Sequence, residues 1–333
     1  MNKRCNALVL MGLLIVSGAS HAGNGALTLT VENDVFTGSD NNYTNGVGIA
    51  WVSEAIDQQD DGPLGQWTRF WSFLPFVADD GYSTYASWAL AQEINTPDDI
   101  KERHPDADDQ PYSGILFVDS TLYARRWDWT HAWQLRLGVV GPASQADDVQ
   151  REFHRLIGVD KPQGWDTQLP NEPILNLNYT VAHLAAAGHT GAGLEWRLVP
   201  LATAGLGNYF TGAGVGLYGE IGWNLADALG VTALHSGLNA ASTVGITPQA
   251  RWSISFFGGG GAYGVAHYLP LDGTLFRNSH SVDSNPIIGM GSFGFCLRRD
   301  RLNLSYAQTF FSETFATQRE NTNFGTISIS WAL

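Results

Sequence analysis

The sequence predicts an all-β fold: a 12-stranded antiparallel transmembrane β-barrel with a short helix in an extracellular loop. Three observations point there. Apolar and polar residues alternate with period 2 in segment after segment, as in Leu27, Leu29, Val31 against Thr28, Thr30, Glu32, or Leu175, Leu177, Tyr179 against Asn176, Asn178, Thr180. The polar set is rich in Asn, Ser, Thr, Gln and Gly rather than Lys and Glu, which suits a crowded lumen. Trp, Tyr and Phe recur near segment ends, as an interfacial aromatic girdle requires. A secreted β-sandwich would alternate in the same way and is the rival fold.

Residues 1–22 read as a secretory signal peptide: Lys3 and Arg4 form a basic start, Ala7 to Val16 is mostly apolar, and Ser20-His21-Ala22 is a small-x-small cleavage site. The mature chain, 23–333, is then a single outer-membrane β-barrel domain beginning at Gly23. Strands are expected to start near residues 26, 43, 84, 113, 131, 173, 192, 211, 249, 284, 301 and 323. An even number returns both chain ends to the periplasmic side. Tight turns are expected at Arg126-Trp127-Asp128-Trp129, at Ala187-Gly188-His189 and at Arg299-Asp300. Residues 57–82 run too long for a periplasmic turn and contain Trp67, Phe70, Trp71 and Phe73, so they hold either an interfacial helix or a miscounted strand. Residues 224–248 are equally ambiguous. One helix is expected over 145–157, with Ser144 and Asp147 as a capping box and Gly158 as its stop. Its apolar stripe is Val149, Phe153, Leu156 and Ile157, and Gln150 and His154 project together beside it at i and i+4.

Composition excludes several function classes. The 333 residues carry a formal charge of −14, and removing Lys3 and Arg4 leaves 16 basic against 32 acidic residues, or −16. Nucleic acid is a poor partner for such a chain, whereas divalent cations suit it. Cys5 lies in the leader, so Cys296 stands alone and no intramolecular disulfide or zinc motif exists. No segment after residue 22 is long and apolar enough for a transmembrane helix.

Two segments combine chemistry with position. Glu32-Asn33-Asp34 through Asn42-Tyr43-Thr44-Asn45-Gly46 gathers hard oxygen ligands at a strand end, which suits a calcium-like ion. Gln150 through Asp160 places a histidine fit for general-base work one helical turn from a glutamine. Threaded onto the barrel, both segments fall at one end, as do Gln92-Glu93-Ile94-Asn95 and Asp109-Gln110-Pro111-Tyr112-Ser113-Gly114. Each residue also has an ordinary reading. Asn33-Asp34 could be an Asx turn, Thr44 a plain strand residue, Gln150 a packing group, Asp160 a solvated loop charge and His154 a surface histidine. Glu32 reads as a lumen residue. Lys101, Arg103, Arg155 and Lys161 are outer-loop cations able to meet phosphates.

The ordered set Asn33-Asp34, Tyr43-Thr44-Asn45-Gly46, Gln92-Glu93-Ile94, Pro111-Tyr112-Ser113-Gly114, Val140-Gly141-Pro142, His154 with Ile157-Gly158, and Gly164-Trp165-Asp166-Thr167-Gln168 resembles the outer-membrane lipid A 3′-O-deacylase family. The resemblance spans nearly all of the mature chain, with its diagnostic motifs in the first half. It implies a twelve-stranded barrel and a Ca2+-dependent esterase that removes the 3′-linked acyloxyacyl chain of lipid A in the bacterial outer membrane, its active site facing the outer leaflet. By motif, Asn33, Asp34 and Thr44 match active-site residues near the calcium, while Gln150 and His154 match helix positions. Asp160 falls where a relative has glutamate, one methylene longer. Gln110 replaces an arginine common before Pro-Tyr, and the chain ends in Leu333 where an aromatic residue is usual. Two rivals stand beside this reading. One is an outer-membrane phospholipase, for which no serine–histidine pairing is visible; the other is a non-enzymatic porin or adhesin. No Gly-x-Ser-x-Gly elbow occurs.

Overall fold

A computed structural model describes residues 25–37, 43–57, 59, 61–158, 161–225 and 249–333; the expected leader, Asp160 and most of 224–248 lie outside these residues. Twelve strands run antiparallel around a closed ring. They are β1 (Gly25–Asn33), β2 (Tyr43–Ser53), β3 (Ser83–Asn95), β4 (Ser113–Arg126), β5 (Trp129–Val140), β6 (Glu172–His183), β8 (Glu195–Gly207), β9 (Phe210–Trp223), β10 (Gln249–Tyr268), β11 (Ile287–Asp300), β12 (Leu302–Phe311) and β13 (Asn323–Ala332). Pairing of β1 with β13 and of β6 with β8 closes the barrel and leaves no free edge in the ring.

Burial decides between barrel and sandwich. Asn176 and Ser328 are 0% and 1% exposed, while their neighbours Leu175 and Ile329 are 60% and 45% exposed. The polar set fills the inside and the apolar set faces out, the reverse of a soluble sandwich.

Gly25 and Leu333, the first and last described residues, lie at one end of the barrel, the terminal end. Turns there are short: Arg126 to Trp129, with Trp127 at φ 55°, and Asp300 to Leu302, with Asp300 at φ 51°. The opposite, loop end carries the long connections 96–112, 141–171 and 269–286. One expected turn is wrong. Ala186–His189 form an extra short strand, β7, paired with β8 over Glu195–Leu198, and the reversal comes later, where Thr190 N–H donates to Leu194 O at 2.7 Å. Ala187 and Gly188 have backbone groups that a strand partner satisfies better than a two-residue turn could.

Residues 57–82 contain a helix, α1 (Pro63–Phe70), with proline in its first turn. Its segment lies on the outer wall: Leu64, Trp67, Trp71 and Leu74 pack around Val77, Ala86 and Leu122, and Trp133 Nε1 donates to Pro75 O at 3.1 Å. Phe70 and Phe73 stay exposed. No strand was miscounted here.

The lumen is filled near the loop end. Arg136 is fully buried and makes two 2.8 Å hydrogen bonds to Asp119. Its guanidinium sits 3.7 Å from the Phe117 ring centroid and 4.6 Å from that of Tyr209. Tyr209, in the β8–β9 turn, reaches across the barrel to donate to Glu93 Oε2 at 2.8 Å. Behind it, α3 (Leu269–Asp272) folds in, with Leu269 N–H donating to Tyr209 O at 2.9 Å. Ile115, Phe117, Tyr209, Tyr263 and Leu269 share one buried core inside this mouth.

Candidate active site

Alternation fixes which side of the wall each loop-end residue faces. Thr28 and Thr30 bond to Ser330 and Ser328 inside the lumen, and Glu32 Oε1 continues that ladder by accepting from Thr326 Oγ1 at 3.1 Å. Glu32 is therefore a lumen residue, as expected. Asn33 then belongs to the outward set. Strand register extends an outward row from Gly325 through Asn33, Asn45 and Ile94 to Gly114. Lipid-facing positions should be apolar and exposed. Instead Asn33 is 3% and Asn45 7% exposed, so both polar groups are covered on the outer face.

Part of that cover is the loop helix, α2 (Ala146–Ile157), which packs against β3 and β4. Gly114 makes room for it: a Cβ there would lie 2.2 Å from Ala146 Cβ. Gln92 Nε2 donates to Ser144 O at 2.7 Å, and Gly141, at φ 95°, donates its N–H to Gly114 O at 2.9 Å. The expected capping box does not form. Ser144 ends a preceding 3-10 turn, its hydroxyl donating to Gly141 O at 2.7 Å and accepting from Ala146 N–H at 3.4 Å, and Gln145 is the N-cap with no cap bond from its own side chain. Gly158, at φ 76°, terminates the helix as expected.

The face that α2 buries differs from the apolar stripe read in the sequence. Ala146, Gln150 and His154 are innermost, while Val149 and Phe153 are only half-buried flanks. Leu156 and Ile157 are outside the described side chains. Gln150 is 2% and His154 6% exposed. An amphipathic helix normally turns its apolar side inward; this one turns in a glutamine and a histidine.

Gln150 Oε1 accepts from Trp165 Nε1 at 2.7 Å, and Gln150 Nε2 has no hydrogen-bond partner among the described residues. Leaving such a donor buried costs about 1–3 kcal/mol. Trp165 packs on Tyr112 with ring centroids 5.0 Å apart, and Tyr112 donates to Ile100 O at 3.2 Å. Burial pushes the Tyr112 hydroxyl up to about 12, so it stays a neutral donor. Gly164 must lack a side chain, because a Cβ would lie 2.4 Å from Tyr112 Cε2. The Pro-Tyr-Ser-Gly and Gly-Trp-Asp-Thr-Gln motifs thus form the seat of α2. Trp165, Tyr112 and Asn45 were not singled out from sequence, although their motifs were; the missing signal was which motif touches which. Gln110 is buried and holds Thr96 O through its amide, a purely structural task.

Asp34 opens a 3-10 turn, Asp34–Thr37, that packs against β13 at Gly325, where a Cβ would lie 2.7 Å from Phe36 Cβ. Its carboxylate is 1% exposed. Register slips by one residue between Tyr43 and Asn45, which makes Thr44 the extra residue of a β-bulge, a device common beside active sites. Among the described residues no three His, Cys, Asp or Glu side chains cluster. One buried carboxylate with amide and backbone oxygens at a strand end is still a donor set that fits a hard cation. Lys101, Arg103, Arg155 and Lys161 are all exposed, with Arg103 bonded to Asp166 at 3.0 Å and Arg155 to Glu152.

A family model described as outer membrane protein LpxR matches residues 7–333. The chain belongs to the LpxR family. Among solved structures, LpxR from Salmonella typhimurium is similar with a TM-score of 0.73 at 20% identity, covering 92% of this chain and 100% of that one. The β domain of the Bordetella autotransporter BrkA reaches only a TM-score of 0.44 at 8% identity, covering 93% and 98% of the two chains. No curated protein matches the sequence. The barrel is thus that of a family of outer membrane proteins.

Proposed function

We propose that this protein is an outer-membrane esterase that removes the 3′-linked acyloxyacyl chain of lipid A, with calcium as cofactor. One observation supports this most strongly: the face that α2 buries carries Gln150 and His154 beside Ala146, against a lipid-facing wall whose row holds Asn33 and Asn45. A site there meets membrane lipid from the side and needs no passage through the barrel. The short turns of the terminal end suit the periplasm and the long loops the exterior, so the site faces the outer leaflet, where lipid A resides.

His154 acts as general base. It takes a proton from water while the water oxygen attacks the ester carbonyl carbon, and returns the proton to the departing alkoxide. Gln150, fixed by Trp165, offers its free amide hydrogens to the polar groups around the ester, and Asp160 orients the histidine. Asp34, Asn33, Thr44 and nearby backbone carbonyls would hold the calcium ion, which when bound supplies Lewis-acid stabilisation of the oxyanion. Lys101, Arg103, Arg155 and Lys161 are candidate contacts for lipid A phosphates. The plugged lumen mouth at Tyr209 disfavours the porin reading.

Mass spectrometry of lipid A from cells with and without the protein tests this. Loss of the 3′-linked chains only when the protein is present, abolished by chelator and restored by calcium, is the expected result. Unaltered lipid A with altered phospholipids would favour the phospholipase, and full activity in excess chelator would remove the metal.

A further inference from the structure

At the terminal end, the lipid-facing wall of β10–β13 carries a groove of about 440 Å³, within the size range of ligand clefts. Trp252 on β10 and Trp331 on β13 stand at its sides, and Leu297 and Leu304 line it between them. Arg299 and Arg301, in the β11–β12 turn, also line it. All four apolar groups belong to the outward set, and both tryptophans are about half exposed. The turn is tied to its surroundings: Ala332 N–H donates to Arg301 O at 2.9 Å, and the Arg299 guanidinium stacks on Trp252 at 5.0 Å from the ring centroid.

Charge selects the occupant. The chain as a whole is strongly acidic, at −14, yet Arg298-Arg299-Asp300-Arg301 puts three arginines into four residues at an interface. Arg298 points into the lumen and is buried. Arg299 and Arg301 remain at the groove against one carboxylate, Asp300, which pairs with Arg299 Nε at 3.4 Å. A surface with tryptophans at headgroup depth, leucines beyond them and a net guanidinium charge is complementary to a phosphodiester above acyl chains. The comparable level of the wall at β3–β5 is covered by the α1 segment, whereas the tryptophans of this groove stay half exposed.

We propose that the groove is a specific site for an anionic glycerophospholipid of the leaflet at the terminal end, its phosphate held by Arg299 and Arg301 and one acyl chain laid along Leu297 and Leu304. The site is separate from the loop-end helix and does not depend on its chemistry.

Native mass spectrometry of the full barrel, released from detergent with equimolar phosphatidylglycerol and phosphatidylcholine of identical acyl chains, tests it. The wild type should retain phosphatidylglycerol preferentially, by about fivefold for each arginine engaged, and R299Q/R301Q should bind both lipids equally. R301Q alone, which keeps the Arg299–Trp252 stack, should lose part of the preference. No preference in the wild type overturns the proposal regardless of how the variants fold. A preference unchanged in the folded double variant overturns it as well, as does displacement of the bound lipid by lipopolysaccharide but not by phosphatidylglycerol.

Discussion

Two polar assemblies lie near the loop end, on opposite sides of the same wall. Inside, Arg136, Asp119, Glu93 and Tyr209 form a dry network whose short bonds and ring contacts tie β3, β4 and β5 to the β8–β9 turn. Outside, Asn33, Asn45, Gln150 and His154 are equally buried but sit where a barrel should present apolar side chains to lipid. Polar burial in a lumen is what the fold demands. Polar burial beneath a helix on the lipid face is not demanded by the fold, and one donor there, Gln150 Nε2, finds no partner among the described residues. The first assembly builds the barrel; the second is where chemistry should be sought.

The largest separation between them comes from His154→Ala. Deacylation should fall by about 10²- to 10⁴-fold, the usual worth of a general base, while the barrel keeps its heat-resistant migration on gels. Unchanged lipid A processing would remove His154 from the mechanism.

Asp119→Ala should do the reverse. It strands the fully buried Arg136, at a cost of about 3–5 kcal/mol. The unfolding temperature should drop markedly, with deacylation per folded molecule largely retained. An equal loss of activity in the folded fraction would merge the two assemblies into one.

Gln150→Leu is a finer probe. It removes an orphan donor and also the acceptor of Trp165, so the stability terms offset, whereas the rate should fall by roughly tenfold or less if the amide serves the reaction. A more stable protein with an unchanged rate would mean that Gln150 only packs.

The smallest effect concerns the loop over 96–112. Burial raises both Asp98 and Asp109 above the ordinary 3.8; the Asp109 carboxylate adds to the rise at Asp98, while backbone N–H bonds from Asp98 and Gln110 oppose it at Asp109. A raised acid favours its protonated form in the folded state, so this stabilisation is complete below about pH 3.8 and is lost as pH rises through the raised values. At neutral pH, Asp98→Asn should therefore slow proteolysis within the loop and flatten its pH dependence. Equal cleavage of wild type and variant across that range would contradict the assignment.

Much of the barrel was legible because period-2 alternation is local. The strand starts near 26, 43, 113 and 323 needed no knowledge of what pairs with what, and Gly158 announces a helix end by its own backbone freedom. The errors were of another kind. Ala186–His189 became a strand because β8 offered it a partner, and Ser144 did not become the N-cap because it closes the preceding 3-10 turn on Gly141. The apolar stripe of α2 left out Gln150 and His154, which the wall buries, because helical periodicity records amphipathicity, not what waits on the other side.

The sequence by itself therefore determined the strands, the loop helix and the candidate residues Asn33, Asp34, Gln150 and His154. Only the tertiary structure decided that Asn33, next to the lumen residue Glu32, stands in an outward row with Asn45 and is nevertheless covered. Only closure brought Tyr209 to Glu93 across 116 residues. The physical reason is that alternation assigns residues to two faces without saying which distant segment covers or meets them. That choice falls to ring closure and to the register between strands distant in sequence.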